Sequence, residues 1–378
     1  MIVGKQKGRY KEGLRRVWRG GFEATIRAEP PPFGEMEFFV ATSRLEIDLS
    51  AVERNLGVVR SVTGQGVAAC AVLKQDGYGL GAARLAKRLV GGSVPMGAKS
   101  GAGANMVAVF TLDEARTIAD SVGNVPILVL MPVAGIDRMD PLYRHVTAGR
   151  IQLTLHSEDQ LKQLAETTMR LGATIAVHVQ VDTGLSRGGA MPDAAKALVE
   201  KVAGAARIKL AGLMTHFASP CCDDDFTREQ AGLFRGFVES IKPVLKAAVA
   251  TGAAGVVAPS ELMLHAANSC AMFRSRSYHG TMVRVGQALL GYALEDVPKY
   301  ERFEFAGAAA KLEPCVRWSS AIVHAGEIPA GWPVGYGSAW RAPWRADGKK
   351  TRIALVPVGY ADGYPRSLGG KPGGGTCR

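Results

Sequence analysis

The stretch IQLTLHSEDQLKQLAETTMRLGATIAVHVQVDTG, residues 151–184, contains the pattern that decides the fold. An apolar run is followed by a segment with helically spaced apolar residues and then by a second apolar run. Ser157 is the predicted N-cap of this helix, Gln160 completes a capping box, and Gly172 lies just past the helix end. The order strand, helix, strand predicts a parallel βαβ unit.

The same alternation extends on both sides of this stretch. Capping boxes at Ser50–Glu53 and Thr111–Glu114 predict further helix starts. The predicted strands are VAACAVLK, MVAVFT, PILVLM, IQLTLHS, IAVHVQVDTG, IKLAGLMTHF, LHAANSCAM and MVRVGQALLGY. Most of them lack polar alternation, as expected when both faces of a parallel sheet are buried. Eight strands alternating with helices predict a (β/α)8 TIM barrel. A doubly wound sheet is the competing architecture, but no GxGxxG turn follows an early strand.

The residue pattern changes near residue 300, after which turns rich in Gly and Pro join strand-like segments that lack helical periodicity. We therefore expect a barrel over 43–298 and a mostly β domain over 299–378. The second domain ends in GGKPGGGTCR, and we expect it to be truncated. Residues 1–42 are predicted to form a basic N-terminal extension, and 91–105 a flexible insertion to which we assign no function.

Composition and charge exclude several classes of protein. No apolar run reaches the roughly 20 residues that span a bilayer, and the N-terminus lacks the apolar core of a secretory signal. We therefore expect a cytoplasmic protein with no membrane partner. The net charge is +12, but no nucleic-acid-binding motif is present, and we expect no nucleic-acid partner. The six cysteines show no zinc spacing, which predicts reduced thiols and no metal site.

In a barrel of this kind the active site lies at the C-terminal ends of the strands. The polar residues at these ends are Lys74, Asp182, Thr183, Arg187, His216, Asn268, Ser269, Arg284 and Gly286. Ser269 and the backbone amides near Gly286 and Gln287 follow strands seven and eight, where barrels commonly bind phosphate. A buried lysine facing such a site suggests a Schiff base with pyridoxal phosphate, because desolvation lowers the pKa of the amine.

Six segments then give the chain a specific resemblance: AVLKQDGYG, VDTGLSRGG, LMTHFA, HAANS, VRVGQALLGY and VPVGYADGYPR. Over about residues 43–370 the chain resembles the alanine racemase family. The resemblance implies a barrel of fold type III that uses pyridoxal 5'-phosphate, followed by a β domain. It also implies a homodimer with shared active sites, which interconverts L- and D-alanine through an external aldimine and two-base proton transfer.

The resemblance implies a role for each matching residue. Lys74 looks like the lysine that holds the cofactor and serves as base on one face of the substrate. Tyr360 looks like the base on the opposite face, reaching into the partner subunit. Arg284 matches the arginine at the pyridine nitrogen, His216 the histidine under the ring, and Arg187 the arginine near the substrate carboxylate. The other cofactor-binding residues that it implies are Tyr78, Asn268, Ser269, Gly286 and Gln287.

Inversion at Cα requires that a proton leave from one face and return to the other, so two bases on opposite faces suffice. Tyrosine ordinarily has a pKa near 10. For Tyr360 to act as a base, we expect neighbouring positive charge from His216 and Arg284 to lower that value.

Two departures from the family pattern affect these expectations. Many members carry a lysine, often carbamylated, where this chain has Gln180. We therefore expect either the neutral amide or a bound anion to hold Arg187. The second departure is the short β domain, which leaves two alternatives open: a racemase of broader amino-acid specificity, or a cofactor-binding fragment with little or no catalytic activity.

Overall fold

The computed structural model describes residues 42–91, 103–252, 260–292 and 300–365. The strands in these ranges are β1 (Ser43–Ile47), β2 (Ala68–Val72), β3 (Met106–Val109), β4 (Ile127–Val129), β5 (Ile151–Leu155), β6 (Ile175–Gln180), β7 (Ile208–Met214), β8 (Met263–His265), β9 (Met282–Val285), β10 (Val316–Ser320), β11 (His324–Ile328), β12 (Pro333–Val334), β13 (Trp340–Arg341) and β14 (Thr351–Leu355). Residues 1–41, 92–102 and 366–378 lie outside the described residues, and with them most of the predicted extension, insertion and tail.

The helices alternate with the strands over the first two thirds of the chain. They are α1 (Leu49–Thr63), α2 (Lys74–Gly79), α3 (Ala82–Val90), α4 (Leu112–Ile118), α5 (Tyr143–Thr147), α6 (Glu158–Leu171), α7 (Pro192–Gly204), α8 (Asp224–Ala250), α9 (Ser269–Arg274) and α10 (Ala306–Ala309). None of the helices in the described ranges is both long and apolar enough to cross a lipid bilayer.

The strands β2 to β9 form a single eight-stranded sheet in the order β8-β7-β6-β5-β4-β3-β2-β9. Every adjacent pair in it is parallel. Two backbone hydrogen bonds join its outer strands, from Thr281 N to Leu264 O at 2.8 Å and from Arg284 N to Ala267 O at 2.9 Å. The sheet is therefore a barrel, and all eight predicted strands belong to it. The predicted TIM barrel is confirmed.

Local capping signals place several of the helix starts. Thr111 and Glu114 form the predicted capping box at α4. The Ser157 side chain accepts a hydrogen bond from Gln160 N at α6, and Gly172 ends that helix with a φ of 70°. The side-chain oxygen of Gln160, however, accepts a hydrogen bond from His156 N and not from the backbone amide of the cap residue Ser157. The predicted cap at Ser50 is wrong, because α1 begins at Leu49 and Ser50 is already a helical residue.

The interior of the barrel is apolar on one side and polar on the other. The apolar side is one buried cluster from β2, β3, β4 and β9: Cys70, Val72, Met106, Ala108, Leu128 and Met282. The polar side consists of Gln152, His178, His265 and Arg284, which are joined by hydrogen bonds. Because side chains alternate between the two faces of a strand, these polar residues alternate with apolar residues that face the helices.

Contacts divide the described residues into the unit Leu49–Glu313 and a second unit of 42–48 with 314–365. In the second unit β1 pairs antiparallel with β10, β11 with β14, and β12 with β13. The Trp318 indole also donates to Ser43 Oγ at 2.7 Å, which ties β1 to β10. This unit is mostly β, as predicted. The domain ranges 43–298 and 299–378 stay predictions.

Gly212 should be intolerant of any side chain, because β7 passes directly against the polar side of the barrel interior. A β-carbon there would overlap His178 Nδ1 and lie 2.8 Å from Met263 O. We expect Gly212→Ala to lower the free energy of unfolding by about 1–3 kcal/mol, as overpacking of a core does. Urea denaturation followed by circular dichroism measures it.

Gly232→Ala is the matched control, since this exposed position in α8 has open space around it. Alanine should raise stability there by about 0.5–1 kcal/mol. Equal stability of wild type and Gly212→Ala would contradict the packing described here.

Candidate active site

The lysine predicted at the end of the first barrel strand opens an unusual turn. Lys74 comes two residues after β2, and the next four residues, Gln75 to Tyr78, all have left-handed backbone angles with φ between 51° and 66°. For residues other than glycine this conformation costs roughly 1–2 kcal/mol each. A run of this kind persists only where surrounding contacts hold it.

Two carboxylates hold this left-handed turn. Glu114 accepts a hydrogen bond from Gln75 N at 2.9 Å with one oxygen and from Phe110 N at 2.7 Å with the other. Asp76 accepts from Ala82 N at 2.8 Å, at the start of α3. The turn is therefore fixed at both ends, and so is the direction in which the chain leaves Lys74.

The turn brings Tyr78 against the loop after β9. A β-carbon at Gly286 would overlap the Tyr78 hydroxyl, so glycine is required for this approach. The Ser269 hydroxyl oxygen accepts hydrogen bonds from Gly286 N at 3.3 Å and from Ala288 N at 3.2 Å. Its own hydrogen stays available to a ligand. Tyr78, Ser269 and Gly286 thus meet at one place, and Gln287 follows them at the start of a short 3₁₀ turn.

Arg284 lies inside the barrel and is almost fully buried. One terminal nitrogen donates to the Nδ1 atom and the backbone carbonyl of His265, both at 2.8 Å. The other donates to Thr215 O at 2.8 Å and to His216 Nδ1 at 3.1 Å. These bonds use four of the five N–H donors of the guanidinium. Within the described ranges Nε–H has no protein partner, so it can donate to a ligand atom.

His216 is neutral in this environment. Its pKa is lowered to about 3, first by burial and then by the positive charges of Arg284, Arg187 and Lys74. These four predicted site residues are therefore close enough to interact electrostatically. The expectation that His216 supplies positive charge to a tyrosine base is wrong, because desolvation favours the uncharged imidazole.

Gln180 holds the loop that carries Arg187. Its amide nitrogen donates to the backbone carbonyls of Arg187 at 3.2 Å and Gly188 at 3.1 Å. On the same loop Asp182 accepts from three successive amides, those of residues 184–186. The neutral amide therefore holds Arg187 through its backbone, while the side chain of Arg187 is exposed.

One predicted feature has a structural role as well, and another differs from expectation. The Asn268 side chain caps α9 by accepting from Ala271 N at 3.0 Å, which is a structural role. Cys221 and Cys270 are bonded to each other as a disulfide. The expectation that all six cysteines are reduced is therefore wrong for this pair, which 49 residues separate in sequence. Within the described ranges no group of His, Cys, Asp or Glu side chains could hold a metal ion.

Comparison with known proteins accounts for this arrangement. The model of the alanine racemase N-terminal domain matches residues 47–294, and that of the C-terminal domain matches residues 315–374. The chain belongs to the alanine racemase family.

Individual relatives agree with the family models. An alanine racemase of Desulfovibrio desulfuricans is 32% identical over 86% of this chain and 77% of its own length. The alanine racemase of Mycobacterium tuberculosis is 33% identical over 86% of this chain and 74% of its own. The crystal structure of the enzyme from Streptomyces lavendulae superposes with a TM-score of 0.69 at 25% identity, covering 88% of this chain and 77% of its own.

Tyr360, the family's second base by resemblance, lies in the other structural unit. It begins a 3₁₀ turn, Tyr360–Asp362, in which Asp362 accepts a hydrogen bond from Gly359 N at 2.8 Å. Its side chain is 63% exposed. The tyrosine is thus accessible to another molecule, and its role in the family's reaction stays a prediction.

Sequence reasoning missed the polar side chains that face the barrel interior: Gln152, His178 and His265. They stand in short, mostly apolar strands, IQLTL, IAVHVQ and MLH respectively. The signal that could have found them is their register. All three occupy inward-facing positions, on β5, β6 and β8, whereas an accidental polar residue in a strand more often faces outward.

We expect the barrel to lose stability steeply in mild acid. The pKa values of His178 and His216 are lowered to about 3, and that of His265 lies well below its usual value, in each case mainly through burial. A histidine in the unfolded chain has a pKa near 6.5, so below that pH it binds a proton that the same histidine does not bind in the folded protein. Stability is therefore complete above pH 6.5 and falls below it by about 1.4 kcal/mol per pH unit for each histidine.

Urea denaturation at a series of pH values from 8 to 4 tests this expectation. His216→Gln should remove one histidine's share of the slope, to which His145, His156 and His279 also contribute because burial lowers their pKa values too. A free energy of unfolding that is constant between pH 6.5 and pH 5 would rule out three buried neutral histidines.

Proposed function

We propose that the protein is an alanine racemase that uses pyridoxal 5'-phosphate, bound at the carboxyl ends of β2, β8 and β9. The observation that carries the proposal is the buried guanidinium of Arg284, which keeps one N–H donor for a ligand. It lies in the same polar site as Lys74, whose charge acts on the same histidine. Membership of the alanine racemase family and the names of its relatives support the reaction.

The residues of the site fit the cofactor. A pyridine nitrogen is an acceptor, which suits the remaining N–H donor of Arg284. The Ser269 hydroxyl and the space beside Gly286 and Tyr78 suit a phosphate group, which prefers hydrogen-bond donors and a close approach of the backbone. The Lys74 amine would join the cofactor as a Schiff base. Asn268 and Gln287 would contribute backbone near the phosphate.

Pyridoxal 5'-phosphate held by these residues would supply an electron sink that makes the Cα proton of the substrate acidic. The Lys74 amine removes or returns that proton on one face of the substrate. Tyr360 of the partner subunit does so on the other face, so that the two exchanges together invert the centre. Arg187 binds the substrate carboxylate, and Gln180 holds the loop that presents it. The homodimer and the cytoplasmic location stay predictions.

Gly286→Ala should weaken cofactor binding. The added methyl group would displace Tyr78 from the place where the phosphate is proposed to bind. We expect the dissociation constant for pyridoxal 5'-phosphate to rise at least about tenfold, which requires only about 1.4 kcal/mol. Titration of the visible absorption band of the bound cofactor measures it.

Gly57→Ala is the control for this experiment, because this exposed glycine of α1 has open space around it and lies in a helix outside the site. Unchanged affinity in Gly286→Ala would contradict the proposed phosphate position. Failure of the wild type to bind the cofactor at all would overturn the proposed function.

Exchange with solvent deuterium tests the two-base reaction. Wild-type protein with cofactor should incorporate deuterium at Cα of both L- and D-alanine. Tyr360→Phe should lose exchange from one enantiomer by a factor of about 100 or more, since it removes a base on one face only. Lys74→Ala should lose both the absorption band and the exchange. Mass spectrometry of alanine recovered at intervals measures the rates.

Tyr336→Phe is the matched control, because Tyr336 is another tyrosine of the same unit and is 94% exposed. It should exchange both enantiomers at the wild-type rate. Cofactor binding without exchange from either enantiomer in the wild type would show that the protein is a binding fragment. Equal loss from both enantiomers in Tyr360→Phe would contradict the assignment of the tyrosine to one face.

A further inference from the structure

A line of four hydrogen-bonded side chains crosses the interior of the barrel. Arg284 Nη1 lies 2.8 Å from His265 Nδ1, His265 Nε2 lies 2.8 Å from His178 Nδ1, and His178 Nε2 lies 2.6 Å from Gln152 Oε1. The two histidines are fully buried, and the other two residues are at most 8% exposed. The line runs from β9 through β8 and β6 to β5, and its far end is remote in sequence from the predicted site residues.

The chemistry of arginine gives this line a direction. A guanidinium carries only donors, so His265 must accept at Nδ1 and carry its proton at Nε2. That proton is donated to His178 Nδ1, and His178 must then also carry its proton at Nε2. The Gln152 carbonyl oxygen accepts this last hydrogen bond. Every donor therefore points away from Arg284, and both rings are held as the Nε2–H tautomer.

The line requires both rings to be uncharged. An imidazolium has two N–H donors and no acceptor, so a proton added to either ring would place two donors against each other. Burial and the positive charge of Arg284 disfavour that proton in both rings. The two rings also pack edge to face, with centroids 5.0 Å apart. Charge and packing thus favour the same arrangement.

The backbone around the line is irregular where it accommodates these rings. The pairing of β6 with β7 shifts register between Val177 and His178. Gly212, which faces His178 after this shift, has no side chain to collide with the ring. Bulges in a sheet commonly redirect a side chain. Two independent features of the fold, a register shift and a glycine, therefore serve the position of one histidine.

Gln152 accepts the last hydrogen bond of the line. An amide oxygen is an acceptor that carries no charge, so it satisfies His178 Nε2–H without attracting a second proton. A leucine there would leave that donor buried without a partner. A glutamate would place a carboxylate beside the ring and favour the imidazolium. Only the neutral acceptor keeps all the donors pointing away from Arg284.

We propose that Gln152 and His178 are positioning residues: they accept the hydrogen bonds of a line whose direction Arg284 sets, and so hold the His265 ring and the guanidinium in place with its Nε–H free for a ligand. Neither residue touches the proposed substrate site. Their effect on the reaction rests on the proposed function, but the direction of the hydrogen bonds does not. It is a property of the protein without cofactor.

Nitrogen-15 NMR of protein labelled in its histidine rings, without cofactor and at pH 7, tests the direction of the line. The resonances of His178 and His265 are assigned by comparison with His178→Gln and His265→Gln. Each ring should show one protonated nitrogen, Nε2, and one unprotonated nitrogen, Nδ1. A ring that carries its proton at Nδ1, or two protons, would overturn the proposal without any further variant.

Gln152→Leu and Gln152→Glu test the role of the far end. In the leucine variant we expect His178 Nε2–H to lose its acceptor, which shifts the resonances of that ring and loosens its position. In the glutamate variant we expect it to gain a second proton. With cofactor and alanine, kcat should fall roughly tenfold in both, as a loss of about 1.4 kcal/mol would give. KM should change less, because the substrate contacts remain.

Thr168→Val is the matched control, since Thr168 is buried in α6 and donates one hydrogen bond, to Ala165 O at 2.8 Å. It loses a comparable bond without touching the histidines, so ring resonances and kcat should match wild type. Wild-type resonances and kcat in Gln152→Leu would overturn the positioning role. Altered ring resonances in a protein that never racemises alanine would instead uphold the line and overturn the proposed function.

Discussion

The structure depends on a positive charge buried inside the barrel. Arg284 is almost completely removed from water, and within the described ranges no carboxylate forms an ion pair with it. Burial lowers its pKa to about 10, which still leaves the guanidinium charged at neutral pH. An uncompensated buried charge is costly unless every donor is satisfied. Neutral acceptors satisfy four of the five donors here, and they come from strand β8 and the loop after β7.

This charge determines the state of the groups around it. His216 and His265 accept from the guanidinium, so both must present an unprotonated Nδ1. The same positive potential favours an anion at the carboxyl ends of the strands. A phosphate group beside Ser269 and Gly286 would therefore be bound by hydrogen bonds and attracted by a charge that pairs with no carboxylate in the part of the chain that the structure describes. The cost of burying Arg284 and the affinity for an anionic ligand have one cause.

The sequence predicts the barrel well, because its strands are buried on both faces and read as bare apolar runs. It also predicts Lys74, Arg187, His216 and Arg284 as members of one site, since the carboxyl ends of parallel strands share an edge. The left-handed turn at Gln75 to Tyr78 could not be predicted, because it opposes the preference of those residues and depends on Glu114 from a distant helix.

The interior line of side chains escaped prediction for a related reason. A single glutamine or histidine in an apolar strand looks like an isolated defect until the register of the neighbouring strands is known. The direction of the hydrogen bonds also depends on the groups at the two ends of the line. Those two residues, Arg284 on β9 and Gln152 on β5, are four strands apart in the sheet order. The Cys221–Cys270 bond escaped in the same way, since no local spacing connects the two residues.

The identity of the donor at Arg284 limits what chemistry the site supports. Even with a pKa of about 10, a guanidinium that donates to a ring nitrogen keeps its proton at neutral pH, so the ligand receives a hydrogen bond and no full positive charge. The proposed cofactor would then withdraw electrons less strongly than one protonated by an acidic partner. Weaker withdrawal favours rapid return of a proton to Cα over rearrangement elsewhere in the molecule. Neutral groups accept every printed hydrogen bond of Arg284, and the line behind His265 ends in the neutral amide of Gln152. The guanidinium therefore keeps its role as a hydrogen-bond donor, which suits the site to moving a single proton.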